Sequence, residues 1–300
     1  MFTNILIPLD GSKLAEMAFY PAESLALTLK APITLLHIIE KDAPQEVHSQ
    51  HHLTRVDEAD EYLKKFAAKF SDMKIRIETH VHTAEVRDVA ASIIQHAHEE
   101  FNPDLIVMCA HGKSGMRDLV FGNIAQQVLA GGKTPLLLIQ PEIADPQPFA
   151  MRRIIVPLDS ESKHDESMLY AQKLAIAYNS EVYFLTVIPT FKTLTGRDAA
   201  LRNMLPATAS AYLEILEETA KEHLQTHLDE FLQAGIKTRA EIGRGDPADV
   251  IVSTAARIGA DMILLSTHRK SGMNAFWARS VAPNVVKKTH IPLMLVPLKE

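Results

Sequence analysis

Three short runs of this chain occur twice, in the same order. Asn4–Asp10, NILIPLD, returns as Arg153–Asp159, RIIVPLD. Asp104–Met116, DLIVMCAHGKSGM, returns as Asp261–Met273, DMILLSTHRKSGM, and Thr134–Ile139, TPLLLI, returns as Ile291–Val296, IPLMLV. The first pair lies 149 positions apart and the other two 157, so the second copy carries a net insertion of eight residues. Ordered matches of this kind mark a tandem duplication. At 300 residues, each copy is long enough to bury its own core.

Each copy reads as strands alternating with helices, the pattern of a parallel sheet covered on both faces. In the first, Thr3–Leu9 reads as a strand, Ser12–Lys30 as a helix kinked at Pro21, and Ile33–Ile39 as a strand. A polar loop reaches Leu53, and Thr54–Phe70 follows as an amphipathic helix with Val56, Leu63, Phe66 and Phe70 on its apolar face. Ile75–Val81 alternates as a strand and Val86–His98 reads as a helix. Pro141–Ala150, PEIADPQPFA, holds three prolines in ten residues and reads as a linker. In the second copy the expected order is strand Ile154–Leu158, helix Glu166–Tyr178, strand Val182–Val187 and, after a long segment, helix Ala209–Leu232. Strand Ile236–Ile242, helix Ala248–Ile258, strand Met262–Leu265 and a closing helix and strand complete it. The expected fold is α/β: two tandem doubly wound domains, each a five-stranded, mostly parallel Rossmann-like sheet, over 1–140 and 151–300.

Composition narrows the functional classes. A net charge of −6 provides no basic excess to neutralise a nucleic-acid backbone. A single Cys forms no internal disulfide and fits a reducing compartment. MFTNILIPLD lacks the basic and long apolar segments of a signal peptide, and no run approaches the ~18 apolar residues of a membrane helix. The expectation is a cytoplasmic protein with neither nucleic acid nor membrane as partner.

Leu105–Ile139 concentrates the chemistry. A buried apolar strand leads into a loop holding Gly112, Gly115 and Gly122, then into a helix that begins at or is capped by Asn123. Glycines let backbone N–H groups approach a ligand, and a helix N-terminus favours anions. The same glycines could serve only to turn the chain.

Cys109–Ala110–His111–Gly112, nine residues, then Gly122–Asn123 resembles the nucleotide motif of the universal stress protein family: G-x-x-G, nine residues, G, then Ser or Thr. Cys109 stands at the first glycine and Asn123 at the hydroxyl position. The strand–Pro–Leu–Asp opening and the TPLLLI strand lie in family order in both halves, so the whole chain resembles a tandem member. The resemblance implies the doubly wound fold, a pseudo-dimer of the two halves, and either ATP binding or a nucleotide-free state. It also implies roles. Pro8, Leu9 and Asp10 would line the adenine side, with Asp10 accepting a hydrogen bond from the base. Ile38 would pack on the ring, Met108 and Cys109 would lie near the ribose, and Gly112, Gly122, Asn123 and Ile124 would meet the phosphates. ATP, ADP or AMP would fit this description, with Mg2+ as a companion ion.

Other readings stay open beside these. Asp10 also suits a helix N-cap, and Cys109 suits either a reactive thiol or a small packing residue. In the second half Ser266, Arg269 and Arg279 replace the three glycines, either blocking the cradle or offering charged donors to an anion. GRGDP, Gly243–Pro247, resembles the family's G-x-P turn where the first half has Thr83–Ala84–Glu85. His48, His51 and His52 cluster in a loop, His80 and His82 share a strand face, and His96 and His98 lie on a helix. Two imidazoles on one face can ligate zinc, but no Cys-x-x-Cys or His-Glu-x-x-His accompanies them, and solvated surface residues are expected. His111 and His268 read as structural. No catalytic constellation can be assembled, so turnover beyond slow ATP hydrolysis is not expected. A nucleotide-binding stress regulator, with a two-fold homodimer as the commonest assembly, is the leading reading; a nucleotide-independent protein acting through dimerisation is the alternative.

Overall fold

The computed structural model describes residues 2–43, 46–47, 50–110, 123–140, 149–159, 166–194, 205–267 and 281–298. They gather into two compact units, Met1–Ala150 with Pro292–Glu300, and Met151–Thr267 with Ser280–Ile291.

The first unit runs β1 (Ile5–Pro8), α1 (Lys13–Glu16), α2 (Phe19–Leu29), β2 (Ile33–Glu40), a short ladder of β3 (Glu46–Val47) and β4 (Gln50–His51), then α3 (Val56–Ala68). It continues with β5 (Ile77–Val86), α4 (Val89–His96), a π turn over Ala97–Phe101, β6 (Leu105–Cys109), α5 (Asn123–Gly131) and β7 (Leu136–Ile139). Its strands lie in the order β5-β2-β1-β6-β7, all parallel. The strand β12 (Leu293–Pro297) belongs to this unit and pairs antiparallel with β7, Leu293 opposite Leu138. The second unit contains β8 (Arg153–Leu158), α6 (Glu166–Tyr178), β9 (Glu181–Ile188), α7 (Pro206–Gln233), β10 (Thr238–Arg244), α8 (Pro247–Ile258), β11 (Met262–Thr267) and α9 (Ala282–Lys288). Its parallel order is β10-β9-β8-β11.

Central strands are apolar throughout because helices cover both faces. Ile5, Leu6 and Ile7 are fully buried, as is every residue of β6. Over β1 and β2, Phe19 of α2 stacks on Phe70 at 3.9 Å and meets Phe66 edge-on at 5.3 Å. A carboxylate fastens the start of the sheet in each copy. Asp104 accepts from the Thr3 hydroxyl at 2.6 Å and the Asn4 amide at 3.2 Å. Asp261 accepts the Arg152 and Arg153 amides, both at 2.8 Å. The repeated Asp thus satisfies amides at the mouth of the first strand that would otherwise face water unpaired.

Several expected boundaries move, each for a local reason. The single helix Ser12–Lys30 is two helices, broken at Met17–Ala18 ahead of Pro21. Restarting the helix puts Pro21 in a first turn, where its missing N–H has no intrahelical partner to lose. The strand expected to stop at Val81 runs on to Val86, because β2 continues to pair with it across a register shift between Ile38 and Glu40. Asp88 then caps α4, its carboxylate accepting the Ala91 amide at 2.9 Å. On α3 the buried positions are Ala59, Leu63 and Phe66, whereas Val56 is exposed. Proline at the first turn starts α7 at Pro206, three residues before the expected Ala209. The linker residues 141–148 lie outside the described residues.

Candidate functional site

From β1 the chain winds outward through β2 to β5, then crosses back to β6 and β7. Winding therefore reverses between β1 and β6, and the crevice beyond their carboxyl ends is where open α/β sheets place ligands. Register fixes what lines it. Leu6 is level with Ile106 on one side, and Pro8 with Leu36 on the other. Continuing those ladders brings Asp10 level with Ile38 of β2 and with Ala110 after β6. The Leu9 amide donates to Leu36 at 2.8 Å and the Ala110 amide to Ile139 at 2.7 Å, so the strand ends are held to the last residue.

The turn after β1 aims Asp10. Its Oδ1 accepts the Ser12 amide at 2.9 Å, and Ser12, not Asp10, is the N-cap of α1, its hydroxyl accepting from Ala15 at 3.1 Å. Gly11 between them has φ +91°, and a Cβ there would stand 2.8 Å from Leu53. Only glycine suits both constraints. Asp10 is left half-buried at the crevice.

Pro8, Leu9, Asp10, Ile38, Met108 and Cys109 therefore share one edge of the sheet. Ile38 and Met108 are mostly covered, at 6% and 7% exposure. Asn123 opens α5, and Ile124 in its first turn is 41% exposed. Gly112 and Gly122 lie outside the described residues, as do His111, His268, Arg269 and Arg279. At this end of the sheet the described residues place an acceptor carboxylate beside the apolar side chains of Leu9, Ile38 and Met108.

Cys109 is a packing residue. It ends β6 in extended conformation, is 2% exposed, and its thiol is pushed up to about 12, by burial first and then by the Asp10 carboxylate; a hydrogen bond from the Ala18 amide opposes them. That is the opposite of a reactive thiol.

His37 is a site neighbour that sequence reasoning missed. It is 1% exposed, with Nδ1 2.7 Å from the Leu9 carbonyl and Nε2 3.0 Å from the Leu53 carbonyl. It ties the end of β1 to the segment before α3. Burial lowers its pKa; the two carbonyls and Asp10 pull the other way, while His52 adds to the lowering. A single His inside the apolar strand ITLLHIIE is the available signal: a polar residue at a position covered on both sides demands partners. His52 is likewise buried, contrary to the solvated expectation.

The second copy handles these positions differently. Asp159, the counterpart of Asp10, is exposed; Thr186 and Val187 stand at the levels of His37 and Ile38. The Ser266 hydroxyl accepts the Ser167 amide of α6 at 3.2 Å.

A mostly parallel, doubly wound α/β arrangement carried twice defines a tandem α/β protein. The chain belongs to the universal stress protein family: the model described as "Universal stress protein family" matches residues 1–140 and again 151–297. It is 31% identical over 153 residues to universal stress protein MJ0531 of Methanocaldococcus jannaschii, covering 50% of this chain and 85% of that protein. It is 28% identical over 139 residues to universal stress protein Sll1654 of Synechocystis, covering 46% of this chain and 86% of the other. Among solved structures, a functionally unknown protein from Pseudomonas aeruginosa, PA1789, superposes with TM-score 0.69 at 16% identity, covering 99% of this chain and 93% of its own. A universal stress protein from Archaeoglobus fulgidus gives 0.64 at 16% identity, covering 99% and 97%. At such identity these two show the fold. Among the described residues, no helix is long and apolar enough to cross a membrane.

Proposed function

We propose that the first copy binds ATP, or the related ADP or AMP, in the crevice between β1 and β6, and that the chain acts in the stress response as a nucleotide-dependent regulator in the cytoplasm. The observation that carries this reading is the half-buried Asp10, held by Ser12 at the winding reversal and level with Ile38. In this reading the carboxylate accepts from the adenine amino group, while Ile38 and Met108 flank the ring. Gly112, Gly122 and the start of α5 receive the phosphates, and Mg2+ accompanies them. Bound nucleotide supplies charge and hydrogen-bonding groups; the protein's residues bind and orient it. No base or metal-carboxylate pair stands at the crevice among the described residues, which favours binding over turnover.

Residues 1–140 form the nucleotide-binding domain of this proposal, 141–150 the link and 151–300 a second domain with a degenerate loop. There the exposed Asp159 and the Ser266–Ser167 hydrogen bond speak against an equivalent adenine seat. The two domains form an intramolecular pseudo-dimer, and two chains can join as a homodimer. Native mass spectrometry of the purified chain tests the proposal. An added mass of one adenine nucleotide, lost in Gly122→Arg, is expected; identical spectra of the two proteins after incubation with ATP would refute it.

A further inference from the structure

The far edge of the first unit carries a second constellation, away from the crevice. His80 lies on β5, and His96 and Glu100 lie at the end of α4 and in the π turn. Their ligating atoms, one from each residue, all fall within 4.8 Å of one another. His96 Nδ1 is 2.7 Å and His80 Nδ1 3.6 Å from the Glu100 carboxylate. Donors of a tetrahedral zinc ion stand about 3.3 Å apart, given Zn–N and Zn–O distances of about 2.0–2.1 Å. Small rotamer changes reach that spacing.

We infer that His80, His96 and Glu100 form a binding site for a divalent transition cation, Zn2+ foremost, with His82 as its outer support. Two imidazoles and a carboxylate leave an open coordination position and suit zinc or cobalt. His96 Nε2 lies 3.0 Å from His82 Nδ1. Without a cation His96 Nδ1–H donates to the Glu100 carboxylate; with one bound at Nδ1, the proton would move to Nε2 and be held by His82, the arrangement that outer partners impose on metal-bound histidines. Phe101 walls the group, its ring centroid 5.1 Å from that of His80 and 5.7 Å from that of His96. The His96 side chain is 12% exposed, His80 31% and Glu100 46%, so the donors are held on the inner side and open to ions on the outer.

The two copies differ at this place. From the helix cap Asp88 to the strand-fastening Asp104 is 16 positions; from Asp246 to Asp261 it is 15. The first copy absorbs its extra residue as the π turn, a feature frequent at functional sites. In the second copy α8 stays regular to Ile258. Register places Glu241 at the level of His80, and Arg257, like Glu100, is four residues before the fastening Asp. There they form an ion pair, joined by the Tyr183 hydroxyl. Where the second copy has a plain ion pair, the first has metal-ligating types at both positions and a third, His96, on the helix.

The test is a Co2+ titration of the chelator-treated full-length protein, read by the visible absorption of the ion and followed by Zn2+ competition. One equivalent per chain is expected with a tetrahedral or five-coordinate spectrum. His80→Ala and Glu100→Gln, whose side chains are partly exposed and whose fold is checked by circular dichroism, should each weaken binding at least a hundredfold. His82→Ala should weaken it about 10–100-fold. His223→Ala removes one member of the His223–His227 pair on α7, 3.1 Å apart, and should change nothing. Wild-type affinity in His80→Ala and Glu100→Gln, or loss of binding in His223→Ala alone, would overturn the inference.

Discussion

The Ser266 hydroxyl accepts the Ser167 amide at 3.2 Å. Cys109 stands at the equivalent place in the first copy, and its sulfur takes the amide of Ala18, the counterpart of Ser167. In both halves a small acceptor at the end of the strand receives an amide from the helix packed over it. The Ala18 amide also donates to the Ala15 carbonyl at 3.1 Å, so in the first copy the sulfur is a second acceptor.

Cys109→Ser should fold with a melting temperature close to wild type, whereas Cys109→Gly should lose about 1–2 kcal/mol, from the buried side chain removed and the backbone freedom gained in the unfolded chain. Denaturant unfolding measures both. With its thiol pushed up to about 12, Cys109 should resist iodoacetamide in the folded protein at pH 8 and react fully in guanidinium chloride.

Gly11→Ala combines a left-handed backbone with a Cβ 2.8 Å from Leu53. A cost of about 1–3 kcal/mol is expected, read as a lowered denaturation midpoint. Gly235→Ala, also at positive φ but with nothing within 4 Å, should cost less, and so separates the clash from the backbone strain.

His37 links stability to pH. Its folded-state pKa lies below its value in the unfolded chain, chiefly through burial. Protonation therefore favours unfolding. The contribution is intact above about pH 6.5 and is lost as pH falls from there through the folded-state pKa, with a slope of up to about 1.4 kcal/mol per pH unit. Urea melts between pH 7.5 and 5.5 should show the decline, and His37→Gln, which keeps one donor, should flatten it.

Asp261→Ala removes an acceptor shared by the Arg152 and Arg153 amides. A loss of about 1–3 kcal/mol is expected, as is a similar loss for Asp104→Ala in the first copy. Thermal denaturation of the single and double variants should give additive effects, since the two carboxylates share no partner.

Much of this architecture was legible in the residues. Runs such as Ile5–Ile7 and Leu105–Met108 are apolar at consecutive positions because both faces are covered, and Glu166–Tyr178 is the helix expected. Pairing, by contrast, is not a local property. β5 continues through Thr83, Ala84 and Glu85 because β2 offers it hydrogen bonds, a partner that no window of sequence displays. A repeated motif pointed to the ends of β1 and β6; Asp10, Ile38 and Met108 stand at or level with those strand ends, and a nucleotide there is the proposal. His37 escaped because its role depends on two carbonyls 28 and 16 residues away. The His80–His96–Glu100 group escaped for a related reason. His80 and His96 meet by the packing of α4 on β5, and Glu100 joins them from a π turn whose trace in the sequence is one surplus residue between Asp88 and Asp104.

Isothermal titration with ATP tests the central claim most directly, using wild type, Asp10→Ala, Asp10→Asn and Asp159→Ala. Wild type and Asp159→Ala should bind one ATP per chain with the same affinity. Asp10→Ala should bind about 10–100-fold more weakly, as for loss of a hydrogen bond to a charged group, and Asp10→Asn, which keeps an acceptor for Ser12 and the base, should lie between them. Equal affinities for wild type and Asp10→Ala, or no heat from wild type at millimolar ATP, would contradict an adenine-nucleotide site at the first copy's winding reversal.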